Sequence, residues 1–233
     1  MLIIVTASRK SRSEFDEGPL GQSLRQIIFD KHMISAVEAE NSLGLPTVYN
    51  QVIDEYYREH EVVFLHDDIW LDDVFFTRRI RDGLDQFDVI GLAGNRVLHP
   101  DAPTWFSKED PMQYDFENLS GLVRHGASPF GTPYFYGPTP ERVQLLDGVL
   151  IAARISSLLD AGVRFDERFD FHFYDLDFSR QANAAGLAVG TWPISVTHTS
   201  SGAYGSDSWR HGLELYRNKW RALGALASPP ACK

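Results

Sequence analysis

The sequence predicts an α/β fold in which a mostly parallel central sheet is covered by helices on both faces. Short apolar runs rich in β-branched residues alternate along the chain with longer amphipathic stretches, as expected of strands that are connected by helices. With 233 residues, 43% of them hydrophobic, the chain is long enough to bury the core of one large domain. We therefore predict a single domain over residues 1–233.

The predicted strands are runs too short to form helices, and they lie at Leu2–Thr6, Met33–Val37, Val62–Leu65, Val89–Ala93, Val149–Ala153 and Leu187–Trp192. The predicted helices have apolar residues at helical spacing, and they lie at Ser23–Phe29, Thr47–Arg58, Asp72–Leu84, Tyr174–Ala185 and Ser208–Leu223. In sheets of this kind, ligands bind at the carboxyl ends of the strands. The polar residues that follow the third run, His66, Asp67 and Asp68, are therefore the first candidates for a functional site.

Charge and composition restrict the function and the location. The formal net charge of −10 disfavours nucleic-acid binding, which needs a basic face. No apolar run approaches the ~20 residues that span a bilayer, and the apolar residues of the first segment precede its basic ones, the reverse of a secretory signal. The single cysteine, Cys232, excludes a disulfide within the chain and a cysteine-based metal cluster. We expect a soluble, cytoplasmic chain, and the sequence leaves homo-oligomer formation open.

A long irregular excursion is predicted at about residues 95–146, where the alternation breaks down. Between His99 and Pro140 lie seven of the twelve prolines and eight aromatic residues, with no sustained period. Insertions of this length are usually binding loops or lids, and loops that only connect two elements are poor in aromatic residues. We therefore predict that this segment forms a wall facing the substrate.

The cluster His66, Asp67 and Asp68 predicts a cation site. Asp72 and Asp73 are explained as caps of the next predicted helix, because aspartate is a favoured N-cap residue. The earlier cluster lies at the end of a strand, where neighbouring carboxylates repel each other unless a cation or solvent offsets their charge. Carboxylate oxygens suit Mg²⁺ or Mn²⁺, which complete their coordination with substrate phosphates.

A second group of polar residues lies in "FHFYDLDFSRQANAAG", residues 171–186. Asp175 and Asp177 stand at the start of a predicted helix that Gly186 ends. Two residues of helix correspond to ~200° of rotation, so only one of the two carboxylates can face a given cleft. His198 follows a further β-branched run, and by itself it would more often be a packed residue than a ligand.

Five motifs together carry a family resemblance. They are "NSLGLPTVYNQVID", "VVFLHDDIWL", "LDGVLIAARIS", "FHFYDLDFSRQANAAGLAVG" and "VTHTSSG", in this order over residues 41–202. The resemblance that they carry covers about residues 2–202. The chain resembles the nucleotide-sugar glycosyltransferases of the GT-A fold, specifically family 2 and the bacterial branch related to the StrF-like domain. The resemblance implies a GT-A fold with a mostly parallel sheet.

The resemblance also implies a role for individual residues. The last aspartate of the family's D-x-D motif binds the cation and falls on Asp68, while His66 stands where the family has the first aspartate. The family's E-D-x-D pattern places the general base on Asp175, with Tyr174 in place of the glutamate. A histidine near the end of the core is a further metal ligand in related families, and His198 matches it.

The remaining implied residues divide into two sides of a cleft. On the nucleotide side the resemblance implies Thr6, Ala7, Ser8, Glu38, Glu40, Asn41, Asn50, His66 and Asp67. Either Glu38 or Glu40 would contact the base. On the acceptor side it implies Trp105, Asp147, Gly148 and His172.

The implied reaction is metal-dependent transfer of a hexosyl group from a nucleotide-diphosphate sugar, with uridine as the expected base, to an acceptor hydroxyl with inversion. Mn²⁺ or Mg²⁺ would be the cofactor, and the acceptor would be a saccharide, a metabolite or another hydroxyl compound. Two alternatives stay open. A sugar-nucleotide pyrophosphorylase would need a glycine-rich loop after the first strand, and "TASRKSRSE" has no glycine. A binding module that has lost catalysis would bind the nucleotide without turnover.

Overall fold

The computed structural model describes residues 1–108, 113–200, 202 and 204–224. Its strands are β1 (Leu2–Ala7), β2 (Met33–Glu38), β3 (Glu61–Leu65), β4 (Ile69–Leu71), β5 (Val89–Gly91), β6 (Ala93–Asn95), β7 (Leu119–His125), β8 (Thr132–Gly137), β9 (Glu141–Arg142), β10 (Leu145–Leu146), β11 (Leu150–Arg154), β12 (Val189–Thr191) and β13 (Val196–His198). Its helices are α1 (Arg12–Glu17), α2 (Pro19–Gln26), α3 (Leu45–Asn50), α4 (Phe76–Leu84), α5 (Ile155–Asp160), α6 (Tyr174–Ala184) and α7 (Asp207–Ala222), with a 3-10 turn at Glu55–Tyr57.

The larger sheet has seven strands in the order β2-β1-β3-β11-β5-β12-β9. The pairs β1/β2, β1/β3 and β5/β12 are parallel, whereas β11 is antiparallel to both β3 and β5. Strands β2, β1, β3, β5 and β12 therefore run in one direction, and β11 and β9 run in the other. The prediction of an α/β fold with a mostly parallel central sheet is confirmed, and all six predicted strands are present in this sheet.

The predicted helices are present with shifted ends. α2 begins at Pro19, earlier than predicted, because proline fits the first turn of a helix, where its missing N–H costs no hydrogen bond. The stretch predicted as one helix from Thr47 ends at Asn50 and continues as a separate 3-10 turn. α4 begins only at Phe76, because the residues just before Asp72 form β4. Asp72 is therefore not a helix cap.

The segment predicted as an irregular excursion, residues 95–146, is only partly irregular: the described residues of 96–118 form no named helix or strand, and strands follow from Leu119. The segment contains β7 and β8, an antiparallel pair, and these strands belong to a second sheet of order β10-β6-β7-β13-β4 with β8 attached to β7. The buried Asp72 carboxylate ties the loop of this hairpin to β13 of the same sheet, because it accepts hydrogen bonds from the Phe130 N–H (2.9 Å) and the Thr197 hydroxyl (2.7 Å). The β7–β8 pairing is local, whereas β7 also pairs with β13, more than 70 residues further along the chain, and local periodicity cannot reveal that partner.

The core lies between the larger sheet and its helices. Strand β1 and residues 62–65 of β3 are buried along their whole length, as expected of strands covered on both faces. Rings of Tyr49, Phe64, Phe165 and Phe178 pack against one another beside β3, with the Phe165 and Phe178 rings stacked at 4.2 Å. Within the part of the chain that the structure describes, no helix is both long enough and apolar enough to cross a membrane.

Helix α7 is anchored to α6 through Asp177, which is fully buried. One oxygen of its carboxylate accepts hydrogen bonds from Lys219 (2.7 Å) and Gln181 (2.8 Å), and the other accepts one from the Trp220 indole (2.9 Å). The guanidinium of Arg180 lies 4.1 Å from the centroid of the Trp220 ring, which adds a cation–π contact. Asp177 is therefore a structural residue that joins two helices.

Removing the Asp177 carboxylate should destabilise the fold. We expect Asp177→Ala to cost about 3 kcal/mol of unfolding free energy, because Lys219 and the Trp220 N–H lose a buried acceptor. Urea denaturation measures the change. Asp160→Ala is the control, because Asp160 pairs with Arg58 at the surface and should cost less than about 0.5 kcal/mol. Equal effects of the two substitutions would show that Asp177 anchors nothing.

Candidate active site

Three strand ends bring the polar residues of the candidate site together. His66–Asp68 follow β3, and the His66 N–H donates to the Val149 carbonyl (3.3 Å) just before β11. His198 ends β13, where it is aligned with Ile69 of β4 on one side and with His125 of β7 on the other. Residues distant in sequence therefore meet at one edge of the two sheets.

The side chains of His66, Asp68 and His198 form a candidate cation site. One nitrogen or oxygen ligand atom from each of them lies within 4.8 Å of the other two. The Asp68 Oδ1 to His198 Nε2 distance is 3.1 Å, and the Thr199 hydroxyl donates to Asp68 Oδ2 at 3.2 Å. Two imidazole nitrogens and a carboxylate oxygen are a suitable donor set for a divalent cation, so these residues fit the metal that the GT-A resemblance implies.

Asp68 and His198 each stabilise the charged form of the other. Burial alone would raise the pKa of Asp68, but the hydrogen bond and charge of His198 outweigh it and lower the Asp68 pKa. Burial alone would lower the pKa of His198, and the hydrogen bond to Asp68 instead raises it. Asp68 is therefore ionised at neutral pH and can attract a cation.

Asp67 points to a different partner from its two neighbours. Its carboxylate accepts a short hydrogen bond from the Ser8 hydroxyl (2.5 Å) and lies 3.5 Å from the Lys10 ammonium. Ser8 follows β1, so Asp67 fastens the turn after β1 to the end of β3.

Asp175 lies in the first turn of α6 and lines the same cleft. Its Oδ2 accepts a hydrogen bond from the Gly148 N–H (2.9 Å), and its Oδ1 accepts one from the Leu176 N–H (2.9 Å). Removal of its carboxylate from bulk water, together with the nearby charge of Asp147, raises the pKa of Asp175 to about 7. A carboxylate with this pKa is suited to accept a proton near neutral pH.

Gly148, just before β11, brings the backbone close to the first turn of α6. Its carbonyl accepts a hydrogen bond from the Tyr174 hydroxyl (2.8 Å), while its N–H donates to Asp175. A Cβ atom at this position would lie 2.4 Å from the Tyr174 hydroxyl oxygen and 3.0 Å from the Asp175 Cβ. Only glycine permits this approach.

Helix α6 begins from a strained residue. Phe173 has φ 68° and ψ −1°, the left-handed conformation that side chains other than glycine adopt rarely. Its ring is held by Trp209 and Tyr216 of α7, at 5.5 and 5.6 Å between ring centroids. Conformations of this kind persist where the surroundings enforce them, and here they direct Asp175 into the cleft and Asp177 away from it.

The cleft has a volume of about 880 Å³ and one aromatic wall. The buried Trp105 packs edge-on against Tyr136 (4.9 Å), and the rings of Phe106, Tyr114 and Phe116 stack in series at 4.6 and 5.1 Å. The segment that we predicted as a substrate-facing wall therefore does line the cleft, with Tyr134, Phe135 and Tyr136 on β8 and the other four aromatic residues outside the named strands. The cleft is lined by seven of its eight aromatic residues, Trp105, Phe106, Tyr114, Phe116, Tyr134, Phe135 and Tyr136.

The predicted acceptor-side residues are brought together. Trp105, Asp147, Gly148 and His172 all line the cleft with Asp175. The Asp147 carboxylate accepts a hydrogen bond from the Val149 N–H (3.1 Å), which holds it at the start of β11. Burial lowers the pKa of His172. The predicted metal ligands Asp68 and His198 line the same cleft, as do His66 and Asp67.

The predicted nucleotide-side residues are more dispersed. Ala7 lines the cleft, whereas Thr6 is buried within β1. Glu38 and Glu40 are exposed, and the Glu38 carbonyl accepts from the Ser8 N–H (2.8 Å). The Asn41 side chain closes a turn with Leu43.

Asn50 is not at the cleft. Its amide group bonds the backbone of Phe165 at both ends (2.9 and 3.0 Å) and donates to Glu167 (2.9 Å). The side chain therefore has its hydrogen-bonding groups occupied by the segment before α6, and the structure gives it a role in joining α3 to that segment.

Among the residues that line the cleft and that sequence reasoning missed are His125, Tyr204 and Trp209. The His125 ring lies 5.8 Å from that of His198, and burial is the main cause that lowers its pKa. His125 is the last residue of β7, and a polar residue at a strand end was the available signal. Local periodicity does not predict β7, so the sequence alone does not mark His125 as the end of a strand.

Comparison with known proteins gives a fold. No family model and no curated protein matches the sequence. Among solved structures, TarS from S. aureus in complex with UDP is similar with a TM-score of 0.55 and 14% identity, covering 98% of this chain and 66% of that one. The mannosyltransferase PcManGT from Pyrobaculum calidifontis, in complex with GDP-Man and Mn²⁺, has a TM-score of 0.51 and 13% identity, covering 98% and 66%.

The chain has the GT-A fold. This confirms the fold class that the motifs implied. The chain spans 60% of the length of a TarS fragment of residues 1–349 and 40% of another TarS structure.

Substitution of Asp68 should remove cation binding and leave the fold intact. We expect Asp68→Ala to bind Mn²⁺ at least tenfold more weakly, because the site loses its one ionised oxygen ligand. Calorimetric titration of Mn²⁺ measures the affinity, and thermal melting without cation should change little, because the side chain is at a strand end. Unchanged Mn²⁺ affinity would remove the cation from this site.

Proposed function

We propose that this protein is a glycosyltransferase that moves a hexosyl group from a nucleotide-diphosphate sugar to an acceptor hydroxyl, with a divalent cation and with inversion at the anomeric carbon. The observation that carries the proposal is one cleft that contains both the His66, Asp68 and His198 cluster and the Asp175 carboxylate, whose pKa is about 7. The first group suits a diphosphate-bound cation, and the second suits the removal of a hydroxyl proton.

The proposed donor is a UDP-sugar. TarS is described in complex with UDP, and the mannosyltransferase is described with GDP-Man and Mn²⁺, so both fold relatives have nucleotide ligands. Ala7 at the end of β1, Ser8 directly after it and the neighbouring Asp67 would face the nucleotide. Glu38 or Glu40 would contact the base, with Asn41 nearby. Thr6 and Asn50 would act through the packing of β1 and α3.

The reaction would proceed by single displacement. The acceptor oxygen attacks the anomeric carbon as the bond from that carbon to the diphosphate oxygen breaks, and the diphosphate leaves with the bonding electrons. Asp175 takes the proton of the acceptor hydroxyl. A cation held by Asp68 and His198 would supply positive charge where negative charge develops on the departing phosphate. Asp147, Gly148, His172 and Trp105 would position the acceptor beside Asp175.

Turnover and donor binding should separate in Asp175→Asn. The amide has the shape of the carboxylate but cannot take the acceptor proton, so we expect transfer to fall by about 10²–10⁴-fold with UDP affinity nearly unchanged. UDP release from a panel of UDP-sugars, with Mn²⁺ and candidate acceptors, measures turnover, and calorimetry measures affinity.

The control for that experiment is Asp73→Asn, because Asp73 lies outside the cleft and caps a turn with the Phe75 N–H (2.8 Å). UDP binding without release of UDP from any donor by the wild type would identify a binding module. Full activity of Asp175→Asn would exclude Asp175 as the base.

Activity should depend on pH through Asp175. Because its pKa is about 7 and the base acts in its ionised form, kcat/KM should rise with pH below about 7 and level off above it. Stability should show the opposite trend. The pKa of Asp175 in the folded state is raised above the unfolded value of about 4. Its contribution to the free energy of unfolding is therefore fully present below about pH 4 and is lost as the pH rises through 7.

The pH trends have a built-in control in Asp175→Asn, which carries no ionisable group at this position. Relative to wild type, its melting temperature should therefore gain more at pH 8 than at pH 5. A wild-type activity profile that is flat from pH 5 to 9 would contradict the assignment.

A further inference from the structure

The two positions where the chain departs from the glycosyltransferase motifs are in contact with each other. His66 stands where those motifs have the first aspartate of D-x-D, and Tyr174 stands where they have the glutamate before the general base. In the structure, His66 Nε2 lies 3.0 Å from the Tyr174 hydroxyl oxygen, although the two residues are 108 positions apart. The departures therefore form one unit and should be interpreted together.

The hydrogen bonds around Tyr174 determine which nitrogen of His66 carries the proton. The Tyr174 hydroxyl donates its single proton to the Gly148 carbonyl, at 2.8 Å. Its oxygen can then only accept from His66, so His66 Nε2 must carry a proton. In the neutral ring this leaves Nδ1 unprotonated, with a lone pair available to a ligand.

An unprotonated ring nitrogen in this position has a natural partner. A metal-binding histidine typically donates its other ring N–H to an oxygen that fixes the tautomer and orients the ring. Tyr174, itself held by Gly148, is such a group, and the stacked Phe171 ring (5.8 Å between centroids) restrains His66 further. One ring nitrogen of His66 also belongs to the cluster whose ligand atoms lie within 4.8 Å of one another, and with Nε2 engaged by Tyr174 we assign the ligand atom to Nδ1.

We propose that His66 is a third protein ligand of the cation, with Asp68 and His198, and that Tyr174 is the positioning residue that presents it. The inference rests on the proposed function, because it assumes that this cluster binds the cation of the donor. It adds a ligand, and it also adds a metal preference. Two imidazole nitrogens favour Mn²⁺, Co²⁺ or Zn²⁺ over Mg²⁺, which prefers oxygen ligands and retains its water.

The matched control is His125. Its ring lies 5.8 Å from the His198 ring, nearly the same as the 5.6 Å between the rings of His66 and His198. It lines the same cleft, but no ligand atom of His125 belongs to the cluster. A comparison of His66→Ala with His125→Ala therefore separates coordination from the general effect of removing a neighbouring imidazole.

The direct test counts the nitrogens bound to Mn²⁺. Pulsed EPR of the wild-type protein with Mn²⁺ and UDP should show two coupled histidine nitrogens, and His125→Ala should retain both. His66→Ala should show one and should bind Mn²⁺ at least tenfold more weakly. In the wild type, Mg²⁺ should displace Mn²⁺ only at a concentration at least about a hundredfold higher, because the two imidazoles disfavour it.

A double-mutant cycle tests the role of Tyr174. Tyr174→Phe removes the hydroxyl that orients His66, and Mn²⁺ affinity should fall by about 10–100-fold. In His66→Ala the same substitution should have little further effect, because Tyr174 acts on the metal through His66. Additive losses would show that Tyr174 supports the cleft in general and would overturn its assignment as a positioning residue.

The results distinguish this inference from the proposed function. If wild-type protein binds no Mn²⁺ with or without UDP, the cation site itself is wrong and both proposals fail. If Mn²⁺ binds with only one coupled nitrogen, or if His66→Ala retains two, His66 is not a ligand and only this inference fails. If His66 instead donates a hydrogen bond to the nucleotide, the wild type should show one coupled nitrogen, and His66→Ala should bind UDP more weakly. The nitrogen count in the wild type needs no variant, so the test holds even if His66→Ala does not fold.

Discussion

The antiparallel pairing of β3 with β11 is the constraint on which the candidate site depends. Their register aligns Leu65 with Leu150, so the residues that follow β3 lie beside those that precede β11. His66 and Asp68 thus meet Asp147 and Gly148, and the backbone bond from His66 to Val149 fixes the junction. A shift of one residue in this register would turn the side chains to the opposite face of the sheet.

From that junction the structure produces two carboxylates with opposite properties. Asp68 faces His198, and the interaction lowers its pKa and keeps it ionised. Asp175 is withdrawn from water near Asp147, and its pKa rises to about 7. Separated pKa values are how one cleft provides a permanent negative charge for a cation and a base that exchanges protons at neutral pH.

Helix α7 contributes to the site by holding helix α6 in its orientation. Lys219 and Trp220 hold the Asp177 carboxylate, and Tyr216 holds the ring of Phe173. The rotation of α6 is determined by these contacts. Because Asp175 and Asp177 differ by ~200° around the helix, burying Asp177 against α7 directs Asp175 towards Gly148. The stability of the fold and the orientation of the proposed base therefore depend on the same contacts.

The sequence by itself determined the elements whose signal is local. Buried runs such as β1 and β3 are recognisable from composition, and the polar cluster after β3 is recognisable from its position at a strand end. The separation of Asp175 from Asp177 follows from helical geometry alone. Only the tertiary structure decided that β7 pairs with β13 across more than 70 residues of chain and that His125 thereby lies beside His198 at the cleft. It also decided that Asn50 is engaged with Phe165 and that His66 meets Tyr174. These contacts arise from the pairing of distant segments, and a local pattern carries no record of which distant segment a residue will face.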